Sequence, residues 1–262
     1  MEDRRPTPAR GGVFGSLLIY LVYGFTSFIV RAPFREAAAS IFVDGILRIV
    51  FGTAALLLFV KRFQKGKWTN VIHFGNFKAG LFAGVGCLLF TLFLILQMAT
   101  GARSLEIPPQ LLFAEILFHS LATGFIEEMV FRAYLMEGYY SGLSEEEWTW
   151  KNRLYYSVLS ALIFGAGHMI GTSSPITPVF ATAFGFALAS AYLYSHNILV
   201  CMLLHFLQSV FAHCRKYAAE WEESNRLVLW DRPIILALCG AAILIGMVYV
   251  MKEPVDEGRR DF

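Results

Sequence analysis

Residues 110–136, QLLFAEILFHSLATGFIEEMVFRAYLM, decide how this chain folds. The run is apolar and long enough to carry a helix across about 30 Å of hydrocarbon at 1.5 Å per residue, yet Glu127, Glu128 and Arg132 lie within it. A charged side chain in lipid costs about 2.5–3.5 kcal/mol on the insertion scale, so such groups face a bundle interior or a wet cavity and mark a functional site. A spacing of four places Glu128 and Arg132 on one helical face, where they can pair. Glu127 points about 100° away, which leaves it to face a cavity. Two adjacent carboxylates in low dielectric do not both ionise cheaply, and a nearby arginine favours the ionised form, so the trio has the makings of a tuned general base. A purely structural Glu–Arg clamp between helices is the competing reading. Glu115 and His119 also share a face one turn apart, and are read as a local polar contact outside the site.

The rest of the chain agrees with a membrane setting. Of 262 residues 56% are hydrophobic and only 16% charged, against about 25% charged in a soluble domain, and mean hydropathy is +0.55. Candidate spans fall at about 13–30, 41–60, 79–99, 110–136, 154–170, 175–194, 197–212 and 233–251. The fold class expected is therefore all-α, a polytopic transmembrane helix bundle of about eight spans, with residues 1–262 forming a single integral membrane domain. The first span is read as retained, because Arg31 and Arg35 follow it without a clear cleavage site. A cytosolic N-terminus puts thirteen basic residues inside, Lys151 and Arg153 among them, against seven outside, which the positive-inside rule favours. Ser144 and Glu147 match a capping box, so a helix is expected to begin near the headgroups beside Trp148 and Trp150. The net charge of +2 lacks the clustered basicity that nucleic acid would require. Cys87, Cys201, Cys214 and Cys239 are too scattered for a disulfide framework and read as small hydrophobes.

Two later spans add polar groups. The fifth carries Phe164 and His168 one turn apart, with Gly165 and Gly167 allowing close helix approach. The seventh carries His205, followed by Gln208 and Ser209 as candidate donors toward an oxyanion. Together Glu127, Glu128, Arg132 (Glu-Glu-x-x-x-Arg), Phe164, His168 (Phe-x-x-x-His) and His205 resemble, in order and on separate spans, the motifs of the CAAX protease and bacteriocin-processing (Abi) family, which includes the type II CAAX prenyl endopeptidases. The resemblance covers about residues 110–212 and implies a four-helix catalytic core and a glutamate-dependent intramembrane endopeptidase. In that scheme Glu127, assisted by His168, activates water, His205 stabilises the oxyanion, and Glu128 with Arg132 holds the site together. Phe164, Gln208 and Ser209 would contact substrate. The family usually has Asn or Asp four residues after the last histidine; Ser209 stands there instead, which puts the second oxyanion donor in question.

Other readings stay open at this level. Glu127, His168 and His205 could ligate zinc as two histidines and a carboxylate, although no His-Glu-x-x-His motif occurs and the cofactor-free scheme is preferred. Cys201 lies one turn before His205, so a thiol mechanism is imaginable, but packing accounts for it. A proton-coupled transporter would also bury such groups, though no inverted repeat is visible, and a binding or bacteriocin-immunity protein could use the same scaffold. The partners expected are the lipid bilayer and a peptide or protein substrate, possibly lipid-modified, with no nucleic acid. The expected location is a bacterial plasma membrane.

Overall fold

The computed structural model describes residues 9–34, 37–101, 105–140, 148–169, 176–217 and 228–255. Each of the eight apolar stretches is helical. We label the helices α1 (Ala9–Arg31), α2 (Ala37–Phe63), α3 (Phe77–Ala83), α4 (Val85–Gly101), α5 (Pro109–Tyr140), α6 (Trp150–Gly167), α7 (Ile176–Ser195), α8 (Ile198–Cys214) and α9 (Val228–Met251). The protein is an all-α membrane helix bundle. Where about eight spans are expected, five helices among the described residues, α1, α2, α5, α7 and α9, are by length and composition long and apolar enough to cross alone. The pair α3 and α4, bent by 68° at Gly84, makes a sixth if counted as one span.

The two helices that fall short are α6 and α8, and their surroundings explain why. α6 begins with Trp150, Lys151, Asn152 and Arg153, and α8 is only 17 residues long with nine of them buried. The polar first turn of α6 lowers its apolarity, while Tyr155, Val158 and Leu162 are still exposed on its outer face; α8, half buried in protein, need not match the hydrophobic thickness that lipid imposes. The contrast runs through the bundle. The most apolar window of α7 is 67% buried, whereas that of α1 is 17% buried and exposes Phe14, Phe25 and Phe28. α7 is therefore the central post, packed against α6 and α9, and the outer helices meet acyl chains.

α5 is the helix that builds the interior. It is α-helical except at two π-helical turns, Glu115–Ser120 and Met129–Tyr134. Single π turns of this kind occur often at functional sites. The segment between them, Leu121–Glu128, lies between α2 and α8. Close approach is permitted by Gly124, where a β-carbon would sit 3.0 Å from the Met202 carbonyl oxygen and 3.1 Å from the Phe206 nitrogen of α8. Gly165 serves the contact of α6 with α7 in the same way, lying against Thr182 and the Pro178 carbonyl, while Gly167 has open space beside it apart from Tyr20.

Helix α6 is capped by Thr149, whose hydroxyl accepts from the Asn152 N–H; the capping box at Ser144 and Glu147 lies outside the described residues. Arg153, counted in the sequence as a surface topology charge, is instead buried. It donates from Nε to the Val250 carbonyl at 2.9 Å, from Nη1 to Trp148 at 3.0 Å and from Nη2 to Lys252 at 3.1 Å. Two of these carbonyls belong to the end of α9, where helix C-termini leave carbonyls without intrahelical partners and a cation is favourable. Replacing Arg153 by Ala should cost about 2–3 kcal/mol, since hydrogen bonds to a charged group are each worth about 1.5–3 kcal/mol. Thermal unfolding in detergent should show that loss, with Arg153→Lys restoring only part of it.

Candidate active site

The site assembles on the segment of α5 just before its second π turn. Glu127 and Glu128 are adjacent, yet each meets different partners, as a 100° step along a helix requires. Glu128, with no exposed surface, faces α8: its Oε1 accepts from His205 Nδ1 at 2.7 Å, and its Oε2 lies 3.2 Å from Arg132 Nε. Glu128 therefore bridges a guanidinium and an imidazole, and is not simply consumed in a pair with Arg132. Arg132 is itself fully buried, donates from Nη2 to the Gly185 carbonyl of α7 at 3.4 Å, and lies over the Phe164 ring, 4.4 Å from its centroid. Such a cation over a desolvated ring is worth about 2 kcal/mol.

Glu127 faces α1 and α2. Its Oε1 is engaged twice, by Arg48 Nη1 at 3.5 Å and by the Tyr20 hydroxyl, which donates at 3.5 Å. Its Oε2 is buried and accepts no hydrogen bond from a protein group, with His205 Nε2 at 3.7 Å. His205 thus presents one ring nitrogen to each glutamate. The shared carboxylate on Nδ1 fixes which way the ring faces, because the bond at one ring nitrogen sets the role of the other.

His168 is placed differently. It closes the C-terminus of α6, half-buried, with Nδ1 2.9 Å from the Phe164 carbonyl, and makes no ion pair with Glu127. An Nδ1–H donated to that carbonyl leaves the lone pair on Nε2. The Phe164 ring joins the two histidines, its centroid 4.6 Å from His168 and 5.6 Å from His205. Gln208 is buried and its Oε1 accepts from Thr91 of α4 at 3.1 Å, and Ser209 is buried one turn after His205. Among the described residues the trio Glu127, His168 and His205 is not brought within ligand range of a common ion; the set that is lies elsewhere. Cys201 is buried, and its thiol points to the Leu188 carbonyl rather than to His205.

Arg48, Asp44 and Tyr20 were not singled out from the sequence. Arg48 is held by Asp44 Oδ2 at 2.8 Å, one turn earlier on α2, and Asp44 in turn accepts from Ser27 at 2.8 Å and Tyr23 at 3.3 Å. The signal for them was present: Asp44 and Arg48 are a charged pair inside an apolar stretch, the same criterion that marks Glu128 and Arg132.

Fold and site together define a polytopic membrane protein with a buried glutamate, histidine and arginine centre. Residues 109–211 match the family model described as type II CAAX prenyl endopeptidase, Rce1-like, the family that the motifs resemble. The match indicates protease activity of the CAAX type within the membrane. No curated protein and no solved structure matches the chain.

Removing one member of a buried ion pair strands the other charge, at a cost of about 3–5 kcal/mol, whereas replacing both by apolar groups costs far less. Arg132→Met and Glu128→Gln should each lower thermal stability strongly. Their double variant should unfold well above the temperature that simple addition gives, and additive losses would show that the two side chains are not coupled.

Proposed function

We propose that the protein is a glutamic intramembrane endopeptidase in which Glu127 is the general base. The observation that carries this reading is the asymmetry of the Glu127 carboxylate: Oε1 is engaged by Arg48 and Tyr20, while Oε2 accepts nothing from the protein and lies beside His205. An ionised oxygen in that position can take a proton from a water molecule. The His168 Nε2 lone pair accepts the second water hydrogen and orients the nucleophile. The hydroxide attacks the scissile carbonyl carbon, and the carbonyl oxygen takes up the electron pair.

His205, protonated on both nitrogens, gives Nδ1–H to Glu128 and offers Nε2–H to that oxygen, as a preorganised donor in a dry site should. As the tetrahedral intermediate collapses, the C–N bond breaks and the proton on Glu127 passes to the departing amine. Arg132 balances Glu128, and Arg48 positions Glu127. Gln208 and Ser209, one turn beyond His205, are assigned to the substrate side, with the reach of Ser209 shorter than that of Asn or Asp. No metal is needed for this sequence of steps. The substrate is a peptide or protein at the membrane, and lipid-modified tails are a class worth including in the search.

Glu127→Gln keeps the shape and removes the base, so cleavage should fall by at least about 10²-fold, while the unfolding temperature changes little because Arg48 retains Asp44. The assay compares the proteomes of membranes that hold the active protein with those that hold Glu127→Gln, then repeats the cleavage with purified protein and the peptide so found. Cleavage that survives the substitution removes this mechanism. For topology we assign the N-terminus to the cytosol of a bacterial plasma membrane, from the charge distribution; reporter fusions after Arg31 and Phe63 should then report the outside and the inside respectively.

A further inference from the structure

A second polar cluster lies toward the other end of α5, around its first π turn. Glu115, which is fully buried, and the partly buried His119 and His213 each place one ligand-type atom within 4.8 Å of the others. Two imidazoles and a carboxylate are the donor set of zinc and its first-row neighbours, with a position left for a further ligand. We infer that Glu115, His119 and His213 form a binding site for a divalent transition-metal cation of the zinc class, separate from the glutamate centre.

The surroundings of each donor support this assignment. Metal-ligating histidines usually give their other ring N–H to a carboxylate, and ligating carboxylates are themselves hydrogen-bonded. His119 has Nε2 2.8 Å from Asp44 Oδ2, while its Nδ1 meets Glu115 Oε1 at 2.6 Å. Nδ1 is therefore the nitrogen on the ligand side, and Asp44 is its outer partner. Glu115 accepts at Oε2 from the Tyr217 hydroxyl at 3.0 Å. For His213, Nδ1 is 3.0 Å from Ser120 Oγ, whose own hydrogen goes to the Glu115 carbonyl at 3.1 Å. His213 must then donate from Nδ1, which leaves its lone pair on Nε2.

Charge points the same way. Asp44 and Glu115 face His119 from both sides; Asp44 is also paired with Arg48 at 2.8 Å and Arg31 at 3.5 Å, and Arg48 is shared with Glu127, so three carboxylates stand against two guanidinium groups. With neutral imidazoles the cluster holds excess negative charge, which a divalent cation offsets. The His119 and His213 rings are stacked, 3.9 Å apart and 5° from parallel. Lone pairs on parallel rings cannot both aim at one ion about 2.0–2.1 Å away, so binding turns one ring out of the stack. His119 is held at both ring nitrogens by Asp44 and Glu115, so His213, near the end of α8, is the ring that binding would turn. The alternative occupant of the same charge deficit is a proton on His119, and the experiment separates the two.

Full-length protein in detergent is stripped with a chelator and titrated with Zn²⁺ against a competing indicator, then loaded with Co²⁺ for visible spectroscopy. One Zn²⁺ per chain should bind, and Co²⁺ should give ligand-field bands of a low-coordinate nitrogen and oxygen site. His213→Ala should weaken binding by about 100-fold or more, and Asp44→Asn by about 10- to 100-fold, the range for outer partners of metal-ligating histidines. Glu127→Gln should leave binding unchanged. His213→Gln provides the same removal of a donor should the alanine variant be poorly folded. Absence of a stoichiometric Co²⁺ spectrum in the unmodified protein overturns the site, as does binding that survives both His213 variants or is lost with Glu127→Gln.

Discussion

The carboxylate of Glu128 is the fixed point of this molecule. Three helices depend on it: α5 supplies it, Arg132 answers it from the next turn and reaches on to the Gly185 carbonyl of α7, and His205 of α8 donates to it at 2.7 Å. In a medium that does not solvate ions, such a group is tolerated only when its partners are in place. The apolar contacts around it, from Ile126, Met129, Leu188 and Leu204, fill space without selecting a rotation for any helix. The ion contacts do select one. They turn α8 so that His205 faces α5, and they hold α7 close enough for Gly185 to pack on Phe164. What a soluble protein obtains from the hydrophobic effect, this bundle obtains from a small number of polar contacts among close-packed surfaces.

Glu127 has the opposite character. Glu128 has a close cationic or imidazole neighbour at each oxygen, whereas Glu127 is engaged at Oε1 from the two N-terminal helices and its buried Oε2 has only His205 nearby, at 3.7 Å. Arg48 connects it to Asp44 and through Asp44 to His119, so that a continuous polar path runs from the glutamate centre to the Glu115 cluster. One end of this path lies in the first π turn of α5 and the other just before the second. A π turn inserts a residue into the helical count, which rotates everything beyond it relative to the incoming face. α5 can thus present Glu115 and His119 toward α2 and α8 at one level, and Glu128 with Arg132 toward α8 and α7 at another.

Much of this was visible in the order of residues. Charged groups inside a run that must sit in hydrocarbon are conspicuous, and that criterion found Glu127, Glu128, Arg132 and His205 together with the pairing of Glu128 and Arg132. It applies equally to Asp44 and Arg48, which lie outside the segment that the family motifs cover. Other features had no signature. A hydrophobic pattern with period 3.6 does not register a single inserted residue, so the π turns could not be read. Span counting by apolarity is least decisive for α6, which opens with Lys151 and Arg153, and for α8, which is short and half buried in protein. Arg153 was misplaced because a basic residue at the end of an apolar run looks the same whether it meets headgroups or helix carbonyls.

Two of the three carbonyls that receive Arg153, those of Val250 and Lys252, and both groups that hold Glu127 Oε1, Arg48 and Tyr20, lie outside the 109–211 segment that contains Arg153 and Glu127. The stretch that carries the motifs is accordingly not a detachable unit. Cut away from its flanking helices, it would leave Arg153 without two of its three acceptors and Glu127 Oε1 without Arg48 and Tyr20. The helices that flank the matched segment are, in this architecture, walls of the glutamate centre.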